Sequence, residues 1–250
     1  MAAKINKSFF KCTLAVIWAA SMLFAQAGDK LDKTTLVHGQ DPNIKIVLEG
    51  RGGNLNLQAG STPGEGYTLT EYRDGRGFAT YDRMRQELYW ESKMKYSLNR
   101  LSSHVTKVAP HMRAFLPPQS QLDFRLKIRT MGKGSMDFAD LNLQRFKMDI
   151  QYGDVDVAFP TVNKSIVRGE AKFHLMTGDM EIHELANLKA ADVKINGGMG
   201  DIYVDFGPKL LQDMDVRLDH DIGRVTLVFP RGTKVFITGT SRDLAPVGFE

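Results

Sequence analysis

Gly197-Gly198-Met199-Gly200-Asp201-Ile202-Tyr203-Val204-Asp205-Phe206 contains the pattern that decides the fold: a glycine, a polar residue, and then alternating apolar and polar residues. Alternation with a period of two is typical of a β-strand with one buried face. Glycine reaches a positive φ angle without the steric cost that other residues incur, so Gly200 predicts a tight bend before the strand. We therefore expect Ile202 and Val204 to point into a core.

The same pattern recurs along the chain. Its copies, aligned on the glycine, begin at Gly53, Gly134, Gly153, Gly178, Gly200 and Gly223. The last five are spaced at intervals typical of solenoid repeats, in which each unit buries its apolar face only by stacking on the next. The sequence predicts an all-β stacked solenoid, similar to a β-helix, of about six rungs between Ile44 and Gly239. A two-sheet antiparallel sandwich remains the alternative, because hairpins with glycine turns also produce this pattern.

An aspartate follows the glycine in three copies, as Asp154, Asp179 and Asp201. A short carboxylate at a turn accepts a nearby backbone N–H, which is the interpretation we prefer. A ladder of carboxylates that binds calcium between rungs is the alternative, although it predicts a denser acidic loop. The sequence predicts no metal site and no cofactor.

The first 27 residues are typical of a secretory signal peptide, with lysines, a short apolar core from Leu14 to Phe24, and the small-x-small cleavage site Ala25-Gln26-Ala27. The only cysteine is Cys12, so the chain after the leader has no thiol for a disulfide, a zinc site or a nucleophile. We predict an exported protein, periplasmic or extracellular, without a transmembrane segment after cleavage.

Residues 28–250 are predicted to form a single β-repeat domain. Its parts are a first rung at 44–58, an aromatic-rich irregular segment at 60–109, and regular repeats at 116–239. Within the irregular segment, Asp74-Gly75 predicts the tip of a hairpin between residues 67–72 and 78–84.

The net charge of +4 includes three lysines of the leader, so the chain after Ala27 carries +1. This balance predicts no nucleic-acid partner. Aromatic and cationic residues nevertheless alternate within 60–109, and they form a possible binding surface for a sugar or another macromolecule: Tyr72, Arg73, Arg76, Tyr81, Tyr89 and Trp90. Packing on a strand face is the preferred interpretation, because aromatic residues are ordinary strand formers.

The acids and the histidines are the candidate catalytic groups. Pairs of carboxylates cleave polysaccharides in some β-helices, and the candidate pairs are Asp154 with Asp179, Asp179 with Asp201, and Glu181 with Glu184. Regular repetition favours a structural role, because an active site interrupts a repeat once. His174 and His183 flank the Gly178 turn, and His220 lies between two aspartates, but without a metal-binding spacing we expect solvated loop histidines. We predict that the protein is not an enzyme.

The order of the motifs resembles the toast-rack family of bacterial envelope proteins. The resemblance rests on residues 186–206, on residues 214–230, and on Leu116-Pro117, Met131-Gly132-Lys133-Gly134 and Asp140-Leu141-Asn142-Leu143. It implies a right-handed stacked β architecture, related to the β-helical domains of cell-wall antibiotic-response proteins and adhesins, with no established catalytic residues. Lys133, which interrupts the first glycine turn, departs from the pattern.

The expected function is a non-enzymatic envelope protein that presents a β-solenoid surface to a protein or glycan, for instance in wall maintenance. A secreted adhesin-like module and a carbohydrate-active hydrolase or lyase are the alternatives.

Overall fold

The structure is a computed structural model that describes residues 30–37, 43–51, 53–61, 65–72, 75–82, 84–85, 87–94, 111–118 and 120–238. The predicted leader lies outside these residues, as do Arg73, His38 and His104. Among the described residues, no helix is long and apolar enough to cross a membrane.

Nearly all of the regular structure is β-strand. The strands are β1 (Lys30–Val37), β2 (Asn43–Arg51), β3 (Asn54–Ala59), β4 (Glu65–Tyr72), β5 (Gly75–Asp82), β6 (Glu87–Met94), β7 (His111–Leu116), β8 (Gln121–Asp137), β9 (Asn142–Ala158), β10 (Ala171–Thr177), β11 (Met180–His183), β12 (Asp192–Met199), β13 (Ile202–Asp205), β14 (Asp215–Ile222) and β15 (Val225–Val228). Within the described part, the one helical element is a 3₁₀ turn at Leu185–Leu188.

Two stacks of strands enclose the core. The first sheet has the order β5-β6-β2-β8-β9-β10-β12-β14, and the second has the order β1-β4-β7-β3-β8-β9-β11-β13-β15. The long strands β8 and β9 belong to both sheets, because each bends near its middle and continues from the first sheet into the second. In each later turn, two separate strands lie on either side of the bend: β10 and β11, β12 and β13, and β14 and β15.

The pairing is parallel from β2 and β3 to the last turn, with each residue stacked on its counterpart in the next turn. Parallel pairing of consecutive turns is the geometry of a solenoid, whereas the sandwich alternative requires antiparallel hairpins. The predicted stacked β-solenoid is therefore confirmed, with about five turns.

Residues 60–109 depart from the prediction of an irregular segment, because they contain three eight-residue strands that extend both sheets. Strand β6 pairs in parallel with β2, and β7 pairs in parallel with β3. Together, β6 and β7 therefore form an additional turn of the solenoid, stacked on the turn that β2 and β3 form. The predicted hairpin at Asp74-Gly75 is wrong: β4 pairs with β1 and β7, whereas β5 pairs with β6. The tight turn lies instead after β5, where the Asp82 carboxylate accepts the backbone N–H groups of Met84 and Arg85.

The inward side chains at the second and fourth positions after each bend glycine form one part of the core. Ile202 and Val204 are 2% and 0% exposed, and Met180 and Ile182 of the preceding turn are buried in the same columns. The equivalent residues of the last turn, Val225 and Leu227, are partly buried. Phenylalanines fill the wider part of the interior: Phe124 stacks on Phe146 with ring centroids 5.5 Å apart, and Phe138 stacks on Phe159 at 5.3 Å.

The loops on the third side of the solenoid are held by a buried asparagine. Asn163 is 5% exposed, accepts the backbone N–H of Leu143, and donates to the carbonyl oxygens of Leu143, Ser165 and Leu188. Because these carbonyls belong to different turns, one side chain fixes three loop segments relative to one another. These hydrogen bonds also satisfy the polar atoms of the Asn163 side chain, which burial would otherwise leave unpaired.

Candidate functional site

The bends between the two sheets carry a column of glycines. Gly153, Gly178, Gly200 and Gly223 have φ angles between 129° and 137°. A Cβ atom on Gly200 would lie 2.0 Å from the carbonyl oxygen of Gly178, and one on Gly223 would lie 1.9 Å from that of Gly200. Glycine is required here both by the backbone angle and by the close approach of the next turn.

The aspartates after these glycines bond to the neighbouring turn. The Oδ1 atom of Asp154 accepts the backbone N–H of Asp179 at 3.2 Å, Asp179 accepts that of Asp201 at 2.8 Å, and Asp201 accepts that of Arg224 at 2.9 Å. We call these three residues the aspartate ladder. Each carboxylate thus connects two rungs, whereas a turn aspartate of the usual kind bonds within its own loop.

The first bends differ from the alignment made on sequence. Gly134 is not a bend residue, because it pairs with Leu55 and Val155 inside the second sheet and has no positive φ angle. The bend lies at Met131 and Gly132, where β8 has a bulge opposite β9, so the aligned copy is displaced by two residues. Gly53 does have a positive φ angle, of 106°.

With the bend at Gly132, the residue of β8 that corresponds to the ladder aspartates is Lys133, which pairs with Asp154. The backbone N–H of Lys133 donates to Oδ1 of Asn54, as a ladder residue would. A lysine side chain has no acceptor atom to continue the series to Asp154. The bond between Lys133 and Asn54 is therefore not continuous with the three bonds of the aspartate ladder.

The candidate catalytic and calcium-binding carboxylates do not form a described metal site. Oxygen atoms of Asp154, Asp179 and Asp201 accept backbone N–H groups, and no group of three or more acids and histidines is arranged to hold a metal within the described part of the chain. Glu181 is exposed on β11, and Glu184 has a left-handed backbone at the start of the 3₁₀ turn.

The three candidate histidines, His174, His183 and His220, lie on strands, not in the solvated loops that the sequence predicted. His174 lies on the outside of the first sheet, with Nδ1 3.7 Å from Asp149. His183 lies on the outside of the second sheet, with Nε2 3.5 Å from both Asp156 and Glu181. The two do not face each other across the turn.

His220 points inward in the last turn, where Nδ1 lies 2.6 Å from the position of a Cβ on Gly197. Both of its ring nitrogens are inaccessible to solvent and lack a hydrogen-bond partner. The glycine at 197 leaves the space that this ring fills.

The aromatic and cationic surface proposed from the sequence lies mostly where side chains are not described. The backbones of Tyr72, Arg76, Tyr81 and Trp90 belong to β4, β5, β5 and β6, and Arg73 lies outside the described residues. The side chain of Tyr89 is described and is half-buried, and its backbone pairs with Val47 of β2.

A row of cations crosses the outer face of the first sheet at right angles to the strands. It consists of one residue from each of five successive strands, all paired in register, and we call it the cation row: Arg125, Lys147, Lys172, Lys194 and Arg217. None of its five residues was among the predicted site residues. The signal was available, because each of the last four lies six residues before a bend glycine.

Acidic side chains flank the cation row. Asp123 lies 3.4 Å from Arg125, Glu170 lies 2.8 Å from Lys172, and Asp219 lies 3.7 Å from Lys194. The hydrogen bond from Lys172 lowers the pKa of the Glu170 carboxyl, and the charges of Lys172, Arg217 and Lys194 lower it further, against a desolvation effect that raises it.

The outer face of the second sheet is predominantly acidic. Among its described side chains the acids outnumber the cations, which are Arg113, Lys133 and Arg224. The acids are Asp137, Asp154, Asp156, Asp179, Glu181, Asp201 and Asp205. The solenoid therefore presents two chemically different faces to solvent.

Comparison with known proteins gives a fold but no family. No protein-family model matches the chain, and a search of curated proteins finds no significant match. The chain is similar to the solved structure of a "putative cell adhesion protein" from Clostridium sporogenes, with 13% sequence identity and a TM-score of 0.51, over 80% of this chain and 99% of that one. A "putative adhesin" from Bacteroides fragilis has 12% identity and a TM-score of 0.32, over 80% of this chain and 98% of that one. At such identities the first similarity supports the solenoid fold alone.

Proposed function

We propose that the chain is an exported, non-enzymatic, adhesin-like module that presents the outer faces of its solenoid to a macromolecule of a cell envelope. The observation that carries the proposal is the in-register stacking of outward side chains from β8 to β14, which aligns five cations in one row on a hydrogen-bonded surface. Solenoids use such extended surfaces for binding.

Two further points support a binding function. The chain aligns with 99% of the Clostridium sporogenes protein, whose name refers to cell adhesion. Three of the five carboxylates that were candidates for catalysis, those of the aspartate ladder, also have structural roles, because they accept backbone N–H groups between rungs. An oxygen engaged in this way is a poor candidate for a general acid or base that must exchange protons with a substrate.

The proposal is tested by expressing the full chain with its own leader and fractionating the cells. We expect the protein in the periplasmic or extracellular fraction. The purified protein should then bind saturably to isolated envelopes or to intact cells in a sedimentation assay. Retention in the cytoplasm, or sedimentation no greater than that of an unrelated exported protein, would contradict it.

The carbohydrate-active alternative needs a separate measurement. The same preparation is incubated with envelope polysaccharides, and the release of reducing ends and of unsaturated sugars is followed. We expect none above the level of heat-denatured protein. Release that is abolished by a substitution at Glu181 or Glu184 would replace the binding proposal by an enzymatic one.

A further inference from the structure

The cation row is built by the register of the sheet. Arg125 pairs with Lys147, Lys147 with Lys172, Lys172 with Lys194, and Lys194 with Arg217. Adjacent strands are about 4.8 Å apart, so the backbone positions of the row form a straight line along the solenoid axis. Like charges placed directly opposite each other are unfavourable, and a run of five is thus a costly arrangement for stability alone.

The acids that flank the row compensate its charge unevenly. Lys172 and Lys194 have carboxylate partners, whereas Lys147, at the second position of the row, makes no ion pair within the described part of the chain. Two more cations on β8, Lys127 and Arg129, are exposed and likewise make no described ion pair. The positive potential is therefore greatest over β8 and β9.

A ligand can displace the carboxylates that pair with the cations of the row. The cations of the row and their partners are at least partly exposed, for example Lys172 at 48% and Arg217 at 64%. Exposed ion pairs contribute little to stability, because water screens them. A ligand with its own anionic groups can replace the intramolecular carboxylates at small cost.

The shape of the row selects the kind of anion. Over β10, β12 and β14 the row is one residue wide, with the acids Glu170, Asp192 and Asp215 on one side and Asp219 on the other. Over β8 and β9 it is wider, because the cations Arg145 and Lys127 lie beside it, next to the acids Asp123 and Asp149. A wide polyanion such as duplex DNA would bring phosphates over these acids. Single-stranded nucleic acid is bound by aromatic side chains interleaved with cations, and the five positions of the row contain none.

We propose that the cation row binds a single chain of a linear anionic polysaccharide, whose carboxylates lie along the solenoid axis above Arg125, Lys147, Lys172, Lys194 and Arg217. This inference rests on the proposed function and specifies its partner. Lys147, with Lys127 and Arg129 beside it, forms the strongest part of the site. The acids on either side confine the polymer to the line of the row.

The test uses the full chain and polygalacturonate, a linear polymer with one carboxylate on each sugar, with dextran as the neutral control. The row variant carries Lys147→Gln, Lys172→Gln and Lys194→Gln. The matched variant carries Lys164→Gln, Lys209→Gln and Lys234→Gln, which remove the same charge from exposed lysines away from the row. Affinity is measured by calorimetry at several salt concentrations, and folding of each variant is checked by circular dichroism.

We expect the wild type to bind polygalacturonate but not dextran, with an affinity that falls as salt rises. The row variant should lose about tenfold or more in affinity and show a weaker salt dependence, whereas the matched variant should change by less than about threefold. Replacement of the same three row lysines by arginine should retain binding. This last variant keeps the test valid if the glutamine variant does not fold.

The inference would be overturned by no binding of polygalacturonate, by equal losses in the two glutamine variants, or by tighter binding of an oligothymidylate than of the polysaccharide. If the row variant still sediments with envelopes as the wild type does, the polysaccharide site is wrong while the proposed envelope binding stands.

Discussion

Asp179 Oδ1 lies 2.8 Å from the backbone nitrogen of Asp201, one turn further along the solenoid, and accepts its N–H. The backbone N–H of Asp179 itself donates to Asp154 at 3.2 Å. The residue thus connects three consecutive rungs at the point where the chain bends. Its carboxylate also lies in line with those of Asp154 and Asp201, so the bond is gained at the cost of repulsion between like charges.

Replacement of Asp179 by alanine should therefore lower the free energy of unfolding by about 1 kcal/mol, because one inter-rung hydrogen bond is lost at an exposed site. Asparagine keeps the acceptor oxygen and removes the charge, so Asp179→Asn should retain the wild-type stability or exceed it, most clearly at low salt. Urea denaturation of both variants at two salt concentrations checks this. An asparagine variant as unstable as the alanine variant would show that the charge, and not the hydrogen bond, matters.

The glycine column gives a steric prediction. Gly200→Ala should destabilise by about 3 kcal/mol or more, because the new Cβ would meet the carbonyl of Gly178 and the φ angle of 129° excludes side chains. Gly169 is the matched control: its φ angle is also positive, at 71°, but no atom lies within 4 Å of its Cβ position. Gly169→Ala should cost only about 1 kcal/mol. Equal losses in thermal or urea unfolding would contradict the role of the close approach.

The contrast between these bends and the rest of the chain shows how far sequence reasoning reaches. The alternation around Ile202 and Val204 and the bend at Gly200 are local and follow from strand geometry, so they were predictable. The prediction that these aspartates accept a nearby backbone N–H named no donor, because Asp179 and Asp201 become neighbours only once the register is known. The offset at Gly134 has the same origin, since the bulge at Met131 is invisible without the partner strand.

Non-local features were missed for a related reason. The strands β6 and β7 form one level of the solenoid, but residues 95–110 separate them where other levels have a short glycine bend, so no repeat was recognisable. Asn163 gave no signal, because its role depends on the distant carbonyl groups of Leu143 and Leu188, which come close to it only in the folded chain. The cation row is the intermediate case: no single member was distinctive, but four of the five lie six residues before a bend glycine.

The interior columns allow a direct test of burial. Val204 is 0% exposed, so Val204→Asp places an unpaired charge in the core and should prevent accumulation of folded protein. Val162→Asp makes the same change where the side chain is 52% exposed, and it should leave folding intact. Limited proteolysis of the two purified variants distinguishes them. A protease-resistant Val204→Asp protein would show that this side chain does not face the interior.

The carboxyl of Glu170 predicts a pH dependence. Its pKa in the folded protein lies below the ordinary value of 4.5, first because Lys172 hydrogen-bonds it and further because of the charges of Lys172, Arg217 and Lys194. Between the folded and unfolded pKa values the unfolded chain binds more protons, so this group's contribution to stability rises with pH. The contribution is complete above the unfolded value and is lost as the pH falls through the folded one.

The stability difference between the wild type and Glu170→Gln should therefore be largest near about pH 6 and should shrink toward about pH 3. Urea unfolding across this range measures it. Asp192→Asn is the control, because Asp192 begins the neighbouring strand β12 and makes no ion pair within the described residues. Its difference from the wild type should change less with pH. A stability difference between the wild type and Glu170→Gln that stays constant from neutral to acid pH would contradict this prediction. It would show that the cations of the row do not stabilise the charged form of Glu170.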